Sequence, residues 1–233
     1  MAIRENLEII RQNIEKACQR AKRDPGQVQV VAVCKDQGVE KIKQVYDLGI
    51  SLMGENKTQE AEIHMQKLVD ADITWHFIGK LQKNKINKLL NIFHFIESVD
   101  GVKSLEHIHK RVNEPVALFI EINIGEEKNK SGFTSEGLKK ALPYISNLNK
   151  VLISGLMAIP PYFEDPEKVR PYFSRLRELK NTINQMAIAN FKISHLSMGM
   201  SHDYEVAVEE GATIIRIGTA LFGRRNQGTR QAL

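Results

Sequence analysis

Long apolar runs are missing from this sequence. No stretch approaches the length a membrane-spanning helix needs, and the opening residues, MAIRENLEIIRQ, lack the apolar core of a secretory signal. Cysteine is scarce, with 2 in 233 residues, so a disulfide framework is excluded. Cys18 falls in a predicted helix and Cys34 in a predicted buried strand; both read as reduced packing residues of a cytoplasmic protein. Two matches to the glycosylation pattern, at Asn56 and Asn129, are chance matches in a chain that is not secreted. Aromatic residues make up only 6% of the chain, too few to interleave with lysines as a nucleic-acid surface requires. There is no P-loop, no GxGxxG after a strand, no GxSxG and no metal-ligand spacing. The expectations are no membrane, no nucleic acid and no metal.

What is present is the composition of an ordinary globular protein, 42% apolar and 26% charged. The net charge of +5 favours a phosphorylated ligand or nucleic acid. The lysines are scattered. The densest basic stretch, residues 80–88, has helix-like spacing and reads as a solvated face.

Residues 28–35, VQVVAVCK, form a short β-prone run with no polar face, as in a strand buried on both sides of a parallel sheet. The run ends on Lys35. A lysine at the mouth of a buried strand must reach water, pair with an anion or lose its charge, and a neutral amine is a nucleophile. Ahead of this strand, residues 2–23 carry apolar positions at three- and four-residue steps, an amphipathic helix stopped by Pro25-Gly26. Behind it, strands are predicted at 50–53, 74–78, 93–96, 116–122, 152–157, 192–196 and 213–217. Helices are predicted between them at 39–48, 59–69, 82–90, 102–111, 136–148, 165–189 and 204–210, with a last helical turn at Gly218-Thr219. About eight strand–helix units over one domain, residues 1–233, give a single α/β domain, a (β/α)8 TIM barrel with an extra N-terminal helix. An open doubly wound sheet is the alternative.

In such a barrel the chemistry sits on the loops at the strand C-termini. Those loops hold Lys35, Asn56, Gly79, Met157, the run 197–201 and Gly218-Thr219. The last two loops carry glycine and a hydroxyl each, Ser201 and Thr219. A phosphate explains both loops together; helix capping explains either hydroxyl alone. Arg216 interrupts the apolar strand TIIRIG, so it needs a partner carboxylate, Glu55 or Glu97, or a ligand acceptor. His76 between Trp75 and Phe77 reads first as a core histidine, and the methionines Met157, Met198 and Met200 as packing. A lysine amine and a phosphate cradle across one barrel mouth are what pyridoxal 5′-phosphate (PLP) requires.

These residues carry a resemblance. VAVCK at 31–35, GEN at 54–56, HFIGKLQKNK at 76–85, ESVD at 97–100, GLMAIP at 155–160, LSMGMSHDYEVAV at 196–208 and GATIIRIGTALFGRR at 211–225 make the chain similar to the pyridoxal phosphate homeostasis proteins. The similarity runs from about Asn6 to Arg224. It implies a barrel like the N-terminal domain of alanine racemase, with PLP held as a Schiff base on Lys35. By position, Ser201, Gly218, Thr219 and the backbone of Met198, Gly199 and Met200 would hold the phosphate, and Arg216 would face the pyridine nitrogen. Asn56, His76, Met157 and Ser197 would line the cofactor. Cys34 stands where the family usually has serine, Gly38 where proline is common, and Lys57 where an aromatic or other residue is more usual. An arginine at the pyridine nitrogen weakens the electron sink, and the chain ends about ten residues after its last motif with no second domain or tyrosine base. The resemblance therefore implies a monomeric carrier that buffers PLP or delivers it to apo PLP enzymes. A PLP-dependent amino-acid racemase is the alternative.

Overall fold

The structure, a computed structural model, describes residues 2–223. Arg224 and Arg225, the end of the last motif, lie outside the described residues. Eight parallel strands close into a barrel in strict chain order, each pairing with the next and the last with the first. The strands are β1 (Gln29–Val33), β2 (Leu52–Glu55), β3 (Thr74–Phe77), β4 (Phe95–Val99), β5 (Val116–Ile122), β6 (Val151–Ala158), β7 (Phe191–Ser197) and β8 (Ile214–Ile217). Helix α1 (Ile3–Arg20) precedes them. Around the barrel follow α2 (Val39–Asp47), α3 (Thr58–Lys67), α4 (Ile86–Ile92), α5 (Val102–His109), α6 (Ser135–Ile145), α7 (Arg170–Gln185), α8 (Tyr204–Glu209) and the short α9 (Thr219–Phe222).

Side chains that alternate along each strand divide the core in two. Outward-facing residues pack beneath the helices: Ile42 and Val45 of α2, Leu138 and Leu142 of α6, Phe173 and Leu176 of α7 are all buried there. Inward-facing residues fill the barrel. Val31, Phe119 and Ile214 form a small internal cluster. An aromatic row crosses it, with ring centroids 4.9 Å apart for His76–Phe95, 5.8 Å for Phe95–Phe119 and 5.5 Å for Phe119–His195. Gly155 makes room for that row, since a Cβ there would sit 2.6 Å from the Phe119 ring.

Two boundaries differ from the pattern reading for identifiable reasons. The first strand stops at Val33 rather than at Lys35, because Asp36 takes φ +58° and turns the chain out over the barrel mouth. The long helix expected over 165–189 is a 3-10 turn, Pro166–Val169, followed by α7. Asp165 caps that turn, its side chain accepting from Glu167 N at 3.0 Å. Helix α1 buries Leu7, Ile10, Ile14 and Ala17 against the end of the chain, packing on α8 and α9. Asn6 Nδ2 donates to Leu221 O at 2.9 Å. The N-terminal helix is thereby fixed to the element that carries the last loop of the mouth. No helix among the described residues is long and apolar enough to cross a membrane.

Candidate functional site

Lys35 leaves β1 at the C-terminal end of the barrel and is half-buried, with no hydrogen bond or ion pair to any described residue. It lines a cavity of about 220 Å³ together with Met200, Ser201, Arg216, Gly218 and Thr219. Val33, Gln37, His202 and Gly223 complete the wall. Volume and lining suit one small ring with an anionic substituent rather than an extended ligand.

The two glycine loops are joined. Ser201 does not cap its own helix: α8 starts at Tyr204 with Asp203 before it, and Asp203 Oδ1 accepts from Met200 N at 2.6 Å. Ser201 Oγ instead accepts from Ala220 N at 3.0 Å, capping α9 across the gap. Its own proton stays free to donate, and the Thr219 hydroxyl is exposed and unbonded. The two glycines differ. Gly199 is required by the fold, since its φ is +92° and a Cβ would lie 2.5 Å from Ala207 Cβ. Gly218 is not, since a Cβ there would make only ordinary contacts with Val33, at 3.5 Å and beyond. Packing gives no reason for glycine at 218. A phosphate approaching the backbone through that space does, and on this observation the cradle fits the group.

Below the cavity lies a buried polar chain. Arg216 Nη1 donates to Ser197 O at 2.7 Å and Ser197 Oγ at 2.6 Å, and Nη2 to Ala158 O at 3.0 Å. Ser197 Oγ donates to Glu97 Oε2 at 2.5 Å, and His76 Nδ1 lies 2.6 Å from Glu97 Oε1. Arg216 faces the same carboxylate at 4.0 Å. Burial alone would raise the Glu97 pKa, but His76, Arg216 and Ser197 together hold it below the ordinary carboxylate value. Burial lowers the Arg216 pKa and Glu97 opposes that shift; an arginine so placed keeps its proton. Of the two carboxylates offered as its partner, Glu97 is the one. Glu55 points the other way and pairs with His64 at 2.8 Å.

The structure brings Lys35, Met200, Ser201, Arg216, Gly218 and Thr219 to one cavity. Ser197 and His76 lie beneath it in the polar chain, and Met157 and Met198 are fully packed. Asn56 lines a neighbouring cavity instead. The sequence reading passed over Gln37, His202 and Glu121. Glu121 is in phase with Phe119 on β5, which places it on the inner face near the mouth, opposite Met157 of β6. Burial, reinforced by Asp100, pushes its pKa up to about 7. A charged residue inside VALFIEI is the same signal that marked Arg216 inside TIIRIG.

The chain matches the family described as alanine racemase, N-terminal domain, over residues 6–226. It is 44% identical over 224 residues to a pyridoxal phosphate homeostasis protein of Aquifex aeolicus (strain VF5), covering 95% of this chain and 97% of that one. It belongs to this family. PipY of Synechococcus elongatus PCC7942, solved with PLP bound, superposes with a TM-score of 0.81 at 33% identity, covering 95% of this chain and all of that one. An alanine racemase of Clostridium difficile 630 gives a TM-score of 0.71 at 14% identity, covering 97% of this chain and 57% of that one, a likeness of fold alone. The solved structures that this chain resembles therefore include one with PLP bound. Cys34, the family member's departure beside Lys35, is a fully buried thiol. Burial and then Glu55 raise its pKa well above the ordinary value, so it stays a protonated, unreactive thiol.

Proposed function

We propose that this protein binds PLP at the barrel mouth and buffers or delivers it, with Lys35 as the residue that attaches it. One observation carries this reading: an unpaired lysine amine and the joined Ser201/Gly218/Thr219 cradle open on the same small cavity, with Arg216 on its wall. PLP supplies an aldehyde that condenses with an amine, a phosphate that anchors it, and a ring that stores electrons well only when its nitrogen is protonated. Ser201 Oγ–H, Thr219 Oγ–H and the backbone N–H of Thr219 hold the phosphate. Gly218 lets it approach. Gly199, Met198 and Met200 shape the loop that carries Ser201. Arg216, fixed by Ser197 and Ala158 and faced by Glu97, keeps its proton and donates at the ring nitrogen rather than accepting there. The electron sink is weak, which supports a carrier over a catalyst. The relatives' names are those of homeostasis proteins rather than enzymes. A monomer in the cytoplasm that supplies apo PLP enzymes completes the proposal.

The test is optical. Purified protein mixed with PLP develops a visible absorption band that borohydride reduction fixes to the chain, and Lys35→Ala does not. A Lys35→Ala variant with the same fixed band would place the attachment on another lysine. For delivery, loaded protein restores an apo PLP enzyme faster than free PLP at equal concentration; equal rates would leave only buffering.

A further inference from the structure

Beside the Lys35 cavity lies a second one, of about 330 Å³, to which the proposed function gives no role. Lys57, Lys80 and Lys85 line it, with Gln59 and Gln82, and no carboxylate does. Lys57 is neutralised by Glu60 at 2.6 Å. The side-chain amines of Lys80 and Lys85 make no hydrogen bond or ion pair with any described residue, and Lys85 is half-buried. Helix α3 begins at the cavity wall with Thr58, and its N-cap, Lys57, supplies no side-chain acceptor. The N–H groups of its first turn therefore lack a protein partner on the side where an anion is favoured. Asn56 adds an independent sign. Its side-chain amide makes no hydrogen bond, and Oδ1 is buried without a partner. Gly79 lets the loop after β3 close on it, because any Cβ at 79 would lie 2.2 Å from Asn56 O. Phe77 contributes to the wall. Unpaired lysine amines and uncapped N–H groups facing one cavity need an occupant that accepts several hydrogen bonds and carries negative charge, and the orphaned Asn56 Oδ1 needs a donor from the same occupant.

We propose that this cavity is a second anion site, taking the phosphate of a small phosphate monoester. The phosphate binds Lys80, Lys85 and the first turn of α3. Asn56 takes a polar group of the ester's organic part, and Phe77 flanks that part. The charged residues of HFIGKLQKNK are then a ligand-binding segment rather than a solvated helix face. Asn56 follows β2, which pairs with β1 through Val33 and Gly54, so the site adjoins the loop of Lys35.

The probe is phenyl phosphate, titrated into the full chain and followed by amide ¹H–¹⁵N spectra. Saturable shifts at the amides of Thr58, Gln59 and Glu60 are expected, separate from any at Thr219 and Ala220, which report the Lys35 cavity. Lys80→Ala/Lys85→Ala should weaken the α3 shifts at least tenfold. Lys83→Ala, a change at an exposed lysine of the same segment outside the cavity, should leave them unchanged. The Lys35→Ala protein should bind as the parent does at α3, so loss of PLP attachment does not obscure the result. Lys85→Gln alone serves if the double variant unfolds, and should weaken the shifts several-fold. Shifts only at Thr219 and Ala220, linear unsaturated shifts, or equal affinity in the lysine variants would overturn the site.

Discussion

At the scale of single residues, Glu97 gathers three buried side chains. It accepts from Ser197, lies against His76 and faces Arg216, all inside the barrel. Removing it leaves a buried guanidinium without its counter-charge. Glu97→Ala should cost ~3 kcal/mol or more, read from urea unfolding midpoints; an unchanged midpoint would remove Glu97 from the account of how Arg216 is held. Its folded pKa is depressed, so its contribution is present at neutral pH and lost as pH falls through that depressed value. Glu121 works with the opposite sign. Its folded pKa is about 7 against an ordinary 4.5, so the fold holds its proton and stability falls as pH rises from 4.5 to about 7. Because the side chain is only partly buried, the decline should amount to ~2 kcal/mol or less. Between pH 5 and pH 8 the parent should lose more stability than Glu121→Gln; parallel pH profiles would contradict this. Lys35 and Arg216 were legible in the sequence as ions that end or interrupt apolar strands. Glu121 was legible by the same rule and passed over.

At the scale of elements, the mouth is built from the two ends of the chain. Lys35 follows the first strand, the 197–201 loop follows the seventh, and Gly218-Thr219 follows the eighth, which pairs with the first. The bond from Ala220 N to Ser201 Oγ couples the last two loops. Gly199 sets the path of one of them. Gly199→Ala forces a left-handed residue and a 2.5 Å contact with Ala207, so the loop must shift. The expected result is ~1–3 kcal/mol of lost stability together with at least tenfold weaker PLP binding by absorbance titration. Gly218→Ala meets no protein crowding, and should leave stability within ~1 kcal/mol while weakening PLP. If Gly218→Ala bound PLP normally, the close approach assigned to that position would be wrong. Strand and helix order was readable because short apolar runs and stretches with a three-to-four-residue period alternate along the chain. The end of β1 and the 3-10 geometry of the turn leading into α7 were not, since both are set by local backbone dihedrals that leave no mark on the hydrophobic pattern.

At the scale of the whole molecule, a ligand held by the first and last strands acts as a closure of the barrel. PLP at one hundred times its dissociation constant should stabilise the fold by ~2.7 kcal/mol, a melting-temperature rise of about 5–10 °C for a domain of this size. Differential scanning fluorimetry with and without PLP checks it, and Lys35→Ala should abolish most of the rise. A rise of equal size in that variant would mean that the phosphate alone supplies the affinity. The sequence by itself determined the alternation of strands and helices, their order, the amine and the glycine loops, because burial on both faces of a parallel sheet dictates apolar strands and strands that end at a mouth expose their polar residues there; closure into a barrel over an open sheet was decided by the tertiary structure. Only the tertiary structure decided which loops meet. Ser201 caps α9 rather than α8, Arg216 takes Glu97 rather than Glu55, and Asn56 turns to a neighbouring cavity. Those choices depend on the shear and twist of a closed barrel, which set distances between residues far apart in the chain and are not encoded in the period of any one segment.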